Sequence, residues 1–66
     1  MIPITIKIKM YDCRNAAELV YRRSEQKIDF YKRINPEDFK YKISELEKLS
    51  AYAKGQIDVL NSLLDD

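Results

Sequence analysis

The sequence predicts an α+β fold that is mostly helical: one N-terminal β-strand, then an antiparallel helical hairpin, with the strand completed by another chain. Three observations predict it. Apolar residues alternate strictly from Ile2 to Met10. A single punctuated break, "INPEDF", divides the rest of the chain in two. Beyond the break, apolar residues recur at alternating spacings of three and four as far as Leu64. The reading is one small domain over 1–66, with a strand at 2–11 and helices at 13–34 and 36–64.

The strand rests on "IPITIKIKMY". Ile2, Ile4, Ile6, Ile8 and Met10 point one way in an extended chain, and Pro3, Thr5, Lys7 and Lys9 point the other. The remainder of the chain holds no second strand. A lone strand leaves a row of backbone N–H and C=O groups unpaired, so its partner is expected from outside. A second copy would give a two-stranded ribbon across a two-fold axis, and a host sheet edge would give strand addition. An extended arm packed over the chain's own helices is the remaining alternative.

The first helix has two candidate starts, Asp12 with Asn15 at its third position or Asn15 with Glu18. It is expected to stop before Asn35, because Pro36 disfavours helical geometry at the residue ahead of it. Asn35 suits the cap of the second helix, Pro36 its first position, and Glu37 and Asp38 the positive end of its dipole. On the second helix, Phe39, Ile43, Leu46, Ser50, Ala53, Ile57, Leu60 and Leu64 trace one seam. The seam keeps its register through Gly55, which favours one continuous helix. With these bounds the second helix overhangs the first by roughly 13 Å at 1.5 Å per residue. The overhanging apolar end, with Ile4, Ile6 and Ile8 of the strand, supplies a predicted oligomer interface of Ile4, Ile6, Ile8, Ile57, Leu60 and Leu64.

Composition narrows the function. Twelve Lys and Arg against eleven Asp and Glu leave a net charge of +1, without the overall basic footprint of most nucleic-acid binders. Cys13 is the only cysteine and no histidine is present, so an internal disulfide is excluded and neither a zinc site nor a neutral-pH acid–base residue is expected. Cys13 lacks a partner base and reads as a small packed residue rather than a nucleophile. The single Gly precludes a Gly-rich phosphate loop. An enzyme is therefore not expected, nor a cofactor. The alternating N-terminus does not resemble a secretory h-region, and no apolar run approaches a membrane span. A lone thiol fits a reducing compartment, so the expected location is cytoplasmic.

The candidate binding residues lie on the first helix and the strand. Apolar residues of that helix cover an arc of roughly 200° at 100° per residue. Arg23 and Lys27 fall inside this arc, one turn apart, with no acidic residue three or four positions away. Either their stems snorkel to the rim, an acid from elsewhere meets them, or they bind an anionic partner, with Tyr31 nearby. Lys7, Lys9 and Arg14 form a second basic set, read either as edge protection or as a basic ribbon.

The order strand–helix–helix, with Thr5, Lys7 and Lys9 facing outward, resembles the ribbon-helix-helix repressors. In that family two chains pair their N-terminal strands, and the outward side chains read bases in the major groove. The resemblance implies a homodimeric DNA-binding protein. The leading expectation from the residues is different: a non-catalytic, oligomeric protein-interaction module, an inhibitor or adaptor that occludes or bridges a partner macromolecule. A phage or other mobile-element origin would suit it. A third reading is an oligomer that sequesters an anionic nucleotide through Arg23, Lys27 and neighbouring tyrosines.

Overall fold

The computed structural model describes residues 2–65. It is a hairpin of two long helices, α1 (Ile4–Ile34) and α2 (Lys40–Leu64), forming a rod with Cα extents of 49 × 14 × 13 Å. Among the described residues there is no strand. The expected strand at 2–11 is thus overturned, along with the α+β class and the helix starts at Asp12 or Asn15. Residues Ile4–Tyr11 are the first two turns of α1.

The reason lies in where backbone groups find partners. A strand here must borrow its hydrogen bonds from another molecule, whereas a helix satisfies them within the segment. The ladder opens at Pro3, whose carbonyl accepts from the amides of Ile6 at 3.1 Å and Lys7 at 3.0 Å. Local preference still opposes this outcome. Ile4, Thr5, Ile6 and Ile8 are β-branched, Pro3 offers no side-chain cap, and the first turn holds no acid. What sustains the helix is its continuity with the packed turns beyond Tyr11.

The break between the helices is built around Asn35, whose backbone is extended (φ −164°, ψ 93°). Its Oδ1 accepts from the Asp38 amide at 3.3 Å, and its Nδ2 donates to the Asp38 carboxylate at 2.8 Å. Pro36–Phe39 form a hydrogen-bonded turn, with the Phe39 amide donating to the Asn35 carbonyl at 3.3 Å. Phe39 opens to φ −107°, ψ 20°, and α2 proper starts at Lys40 rather than Pro36.

Away from the turn, three cross-helix contacts set the register. Arg14 donates to Asn61, Lys54 lies over the Tyr21 ring, and Ser50 donates to Glu25. The paired numbers, 14 and 61, 21 and 54, 25 and 50, each sum to 75; nearer the turn, Lys42 over the Tyr31 ring sums to 73. Carried along the rod, this register sets Met10 level with Asp65. Ile4–Lys9 therefore extend past the described end of α2. The expected overhang is reversed: α1 has 31 residues and α2 has 25, so the surplus of about 9 Å belongs to the first helix.

Both helices meet along seams of alternating three–four spacing. The α2 seam runs from Phe39 to Leu64, with Ile43, Ser50, Ala53 and Leu64 buried. The α1 seam uses Met10, Arg14, Ala17, Tyr21, Ser24, Ile28 and Tyr31, of which Ala17, Ser24 and Ile28 are buried. Small residues (Ala17, Ser24, Ser50, Ala53) occupy its middle and let the backbones approach. At the turn, Tyr31 and Phe39 stack with ring centroids 4.6 Å apart. Gly55 takes no part in this packing, since a Cβ added there would meet nothing within 4 Å. The helix passes through it unbroken.

Candidate functional site: an uncovered apolar face

A hairpin buries one stripe of each helix and leaves the rest to solvent. Here the solvent side is not uniformly polar. Flanking the α1 seam runs a second stripe at the same spacing: Cys13, Ala16, Val20, Arg23, Lys27, Phe30, Ile34. Flanking the α2 seam runs another: Leu49, Tyr52, Gln56, Val59, Leu63. In an antiparallel pair these stripes fall on the same side of the rod. They meet in a shallow groove lined by Cys13, Ala16 and Val20 from α1 and by Tyr52, Gln56 and Val59 from α2.

The opposite side is polar, carrying Glu18, Glu25 and Lys32 from α1 and Lys40, Glu47 and Lys54 from α2. The hairpin is therefore two-faced. On the apolar face, Tyr52 is 66% exposed, Val59 60% and Phe30 57%. Val20, Ile34, Leu49 and Leu63 are also exposed. By contrast, among the described residues the buried hydrophobic core of the hairpin is Ala17, Ile28, Ile43, Ala53 and Leu64. Exposed apolar residues gathered on one face make it the candidate site of this molecule.

The structure divides the predicted binding residues. Arg23, Lys27 and Tyr31 come together, lining a shallow recess with Gln26 and Phe30. Arg23 and Lys27 are exposed and make no ion pair among the described residues. Arg14 is drawn elsewhere. It lies in the seam, half-buried, with Nη1 donating to Asn61 Oδ1 at 3.2 Å and the guanidinium 5.0 Å from the Tyr11 ring centroid. Its Nε is buried without a hydrogen-bond partner. Lys7 and Lys9 stand in the first turns of α1, with Lys7 half-buried on the seam side and Lys9 exposed. Sixteen residues of helix separate Lys7 from Arg23, about 24 Å. The two basic sets do not form one site.

The predicted oligomer residues also part. Ile57 and Leu60 are half-buried and Leu64 is buried, all against α1. Ile4, Ile6 and Ile8 are exposed on the overhang, Ile4 at 75%, and their two-residue spacing fans them around the helix instead of aligning them.

The residues that sequence reasoning did not assemble are the small and apolar ones of the groove. Their signal was the width of the apolar arc on the first helix. An arc of roughly 200° is about twice what a core-facing stripe needs, so it implies two contacts rather than one. The spacing of Leu49, Tyr52, Gln56, Val59 and Leu63 repeats the seam one position earlier and carries the same message.

Among the described residues, no group of acidic, histidine and cysteine side chains is placed to hold a metal ion. No helix there is long and apolar enough to cross a membrane. The class defined by fold and site is a two-helix hairpin with one uncovered apolar face. Comparison with known proteins finds no matching family model, curated protein or solved structure.

Proposed function

We propose that this protein is a non-catalytic interaction module that works by laying its apolar face against a helical surface of a partner macromolecule. The observation that carries the reading is the groove between Cys13, Ala16 and Val20 on one helix and Tyr52, Gln56 and Val59 on the other. An inhibitor or adaptor acting by occlusion needs such a face and no catalytic set. An exposed free thiol at Cys13 suits a reducing compartment, in keeping with a cytoplasmic role. The ribbon-type DNA reading has no strand to rest on, since Thr5, Lys7 and Lys9 stand on α1.

The test compares two faces. Val59→Asp places a charge in the groove, and Glu47→Lys changes the polar side. Light scattering and binding of a hydrophobic dye are measured together. An apolar face in use is either covered, giving a mass above one chain, or bare, giving dye fluorescence. Val59→Asp is expected to remove whichever signal the native protein shows, and Glu47→Lys to leave it. A native monomer that binds no dye, or a signal lost only in Glu47→Lys, overturns the reading.

The recess of Arg23, Lys27, Phe30 and Tyr31 supports a second reading, capture of an anionic nucleotide between cations and rings. Titration with a nucleoside triphosphate tests it. Saturable binding lost in Arg23→Ala with Lys27→Ala supports it, and no binding at millimolar ligand ends it.

A further inference from the structure

We infer that the occupant of the apolar face is a second copy of this chain, seated with both turns at the same end, so that α1 of one protomer lies on α2 of its partner. This inference rests on the interaction-module reading and names its partner.

Area is the first argument. The α1 stripe from Cys13 to Ile34 spans about 32 Å, and two adjacent helices are about 20 Å wide. The strip covers roughly 640 Å² in flat projection, and more once side-chain relief is counted. A standard interface takes about 800 Å² from each partner. The face therefore reaches the low end of the range for stable interfaces, about 600–1,000 Å² per partner. A four-helix bundle is also the simplest arrangement in which each of these helices buries both of its apolar stripes.

Charge selects the arrangement. Two such hairpins can stack about a two-fold axis in the interface, lying either across the helices or along them. With the axis across, α1 packs on the partner's α1 and the turns lie at opposite ends. Arg23 and Lys27 then face the partner's α1 stripe, which holds no acid from Cys13 to Ile34. In every register of that stack the partner's facing stripe brings these four cations no counter-charge over Cys13–Ile34, so their desolvation gains nothing from the partner. With the axis along the helices, α1 packs on the partner's α2. Glu45 lies on the α2 stripe, one step beyond Leu49.

The second arrangement also has no free register. A two-fold parallel to the helices leaves every residue at its own level along the rod. The numbers that sum to 75 within a chain therefore also pair across the interface. Ala16 meets Val59 of the other copy, a small side chain opposite a larger one. Arg23 meets Tyr52, a cation over a ring. Lys27 falls between the levels of Leu49 and Glu45, with Glu45 three residues, about 4.5 Å, further along the axis, an offset that a lysine stem can span. Among the described residues Glu45 pairs with Lys48, at 3.8 Å and highly exposed, a pair of little worth that the interface can displace. The unpaired cations of the apolar arc thereby gain partners.

The experiment is a charge exchange followed by sedimentation equilibrium across concentration, with helicity monitored by circular dichroism. Native protein is expected at twice the 7.8 kDa chain mass. Lys27→Glu sets two like-charge contacts in each dimer and should weaken dimerisation by about tenfold or more. Lys27→Glu with Glu45→Lys restores the opposite charges and should recover dimerisation to within about threefold of native. The same recovery is expected for helicity if the single variant loses it. A two-chain mass that the exchange does not restore, or a mass above two chains, overturns this arrangement and leaves the interaction reading in place. A native mass of one chain with helicity intact overturns the second copy as partner, and dye binding to the native protein and to Val59→Asp then decides the broader reading alone.

Discussion

Ser50 donates its hydroxyl to the Glu25 carboxylate at 2.6 Å across the middle of the hairpin. It is the shortest side-chain hydrogen bond among the described residues and lies where small residues bring the helices close. Ser50 is buried and Glu25 half-buried, so the acceptor is shielded on one side only. A double-mutant cycle with Ser50→Ala and Glu25→Ala should show a coupling of about 1 kcal/mol in urea unfolding. A coupling indistinguishable from zero means that water replaces the hydroxyl at no cost, and that the register is held by apolar contacts alone.

Ile28 and Leu19 look alike in the sequence, both large and both within the apolar arc. The structure buries Ile28 to 4% exposure and leaves Leu19 at 46%. Ile28→Ala should cost about 2–4 kcal/mol. That is a large part of the roughly 3–10 kcal/mol available to a chain of this size. Leu19→Ala, which lies outside both the seam and the groove, should change stability by no more than about 0.5 kcal/mol. Thermal melts of the two variants side by side settle which residue is core.

Gly55 lies in the interior of α2 with open space where its Cβ would be. Gly55→Ala should stabilise the protein by about 0.5–1 kcal/mol, through backbone entropy and helix propensity. A loss of stability, or of association, would show that the glycine serves as a hinge or a close contact after all.

The start of α1 is the weakest part of the fold. It has no side-chain cap, a run of β-branched residues, and lysines near the positive pole of the dipole. Amides of Ile8 and Lys9 should exchange with deuterium far faster than those of Ile28 or Ala53. Pro3→Asp supplies a cap and should add about 1 kcal/mol and measurable helicity. An extended segment would gain nothing from that substitution, so unchanged ellipticity would count against helix from Ile4.

Much of this protein was legible in its sequence, and the limits of that legibility are physical. The seam from Phe39 to Leu64 follows from a three–four repeat, because a helix has one geometry and its period survives any context. The break at Asn35 and Pro36 is equally local, set by a proline ring and a short amide side chain. The segment Ile4–Lys9 was not legible. Its alternation and its β-branched residues describe a strand, but strand formation is a matter of partners, and α1 offered a continuous hydrogen-bond ladder instead. Once those residues join α1, the overhang passes from the second helix to the first, and Ile57, Leu60 and Leu64 are spent inside the chain. The apolar arc of the first helix was visible as a whole. Only the packing of α2 decided that Ile28 lies within the seam while Val20, Phe30 and Ile34 remain on the open face. Periodicity gives the angular distribution of apolar residues around a helix, whereas the direction from which a neighbour arrives is set by the turn and the register between the two helices.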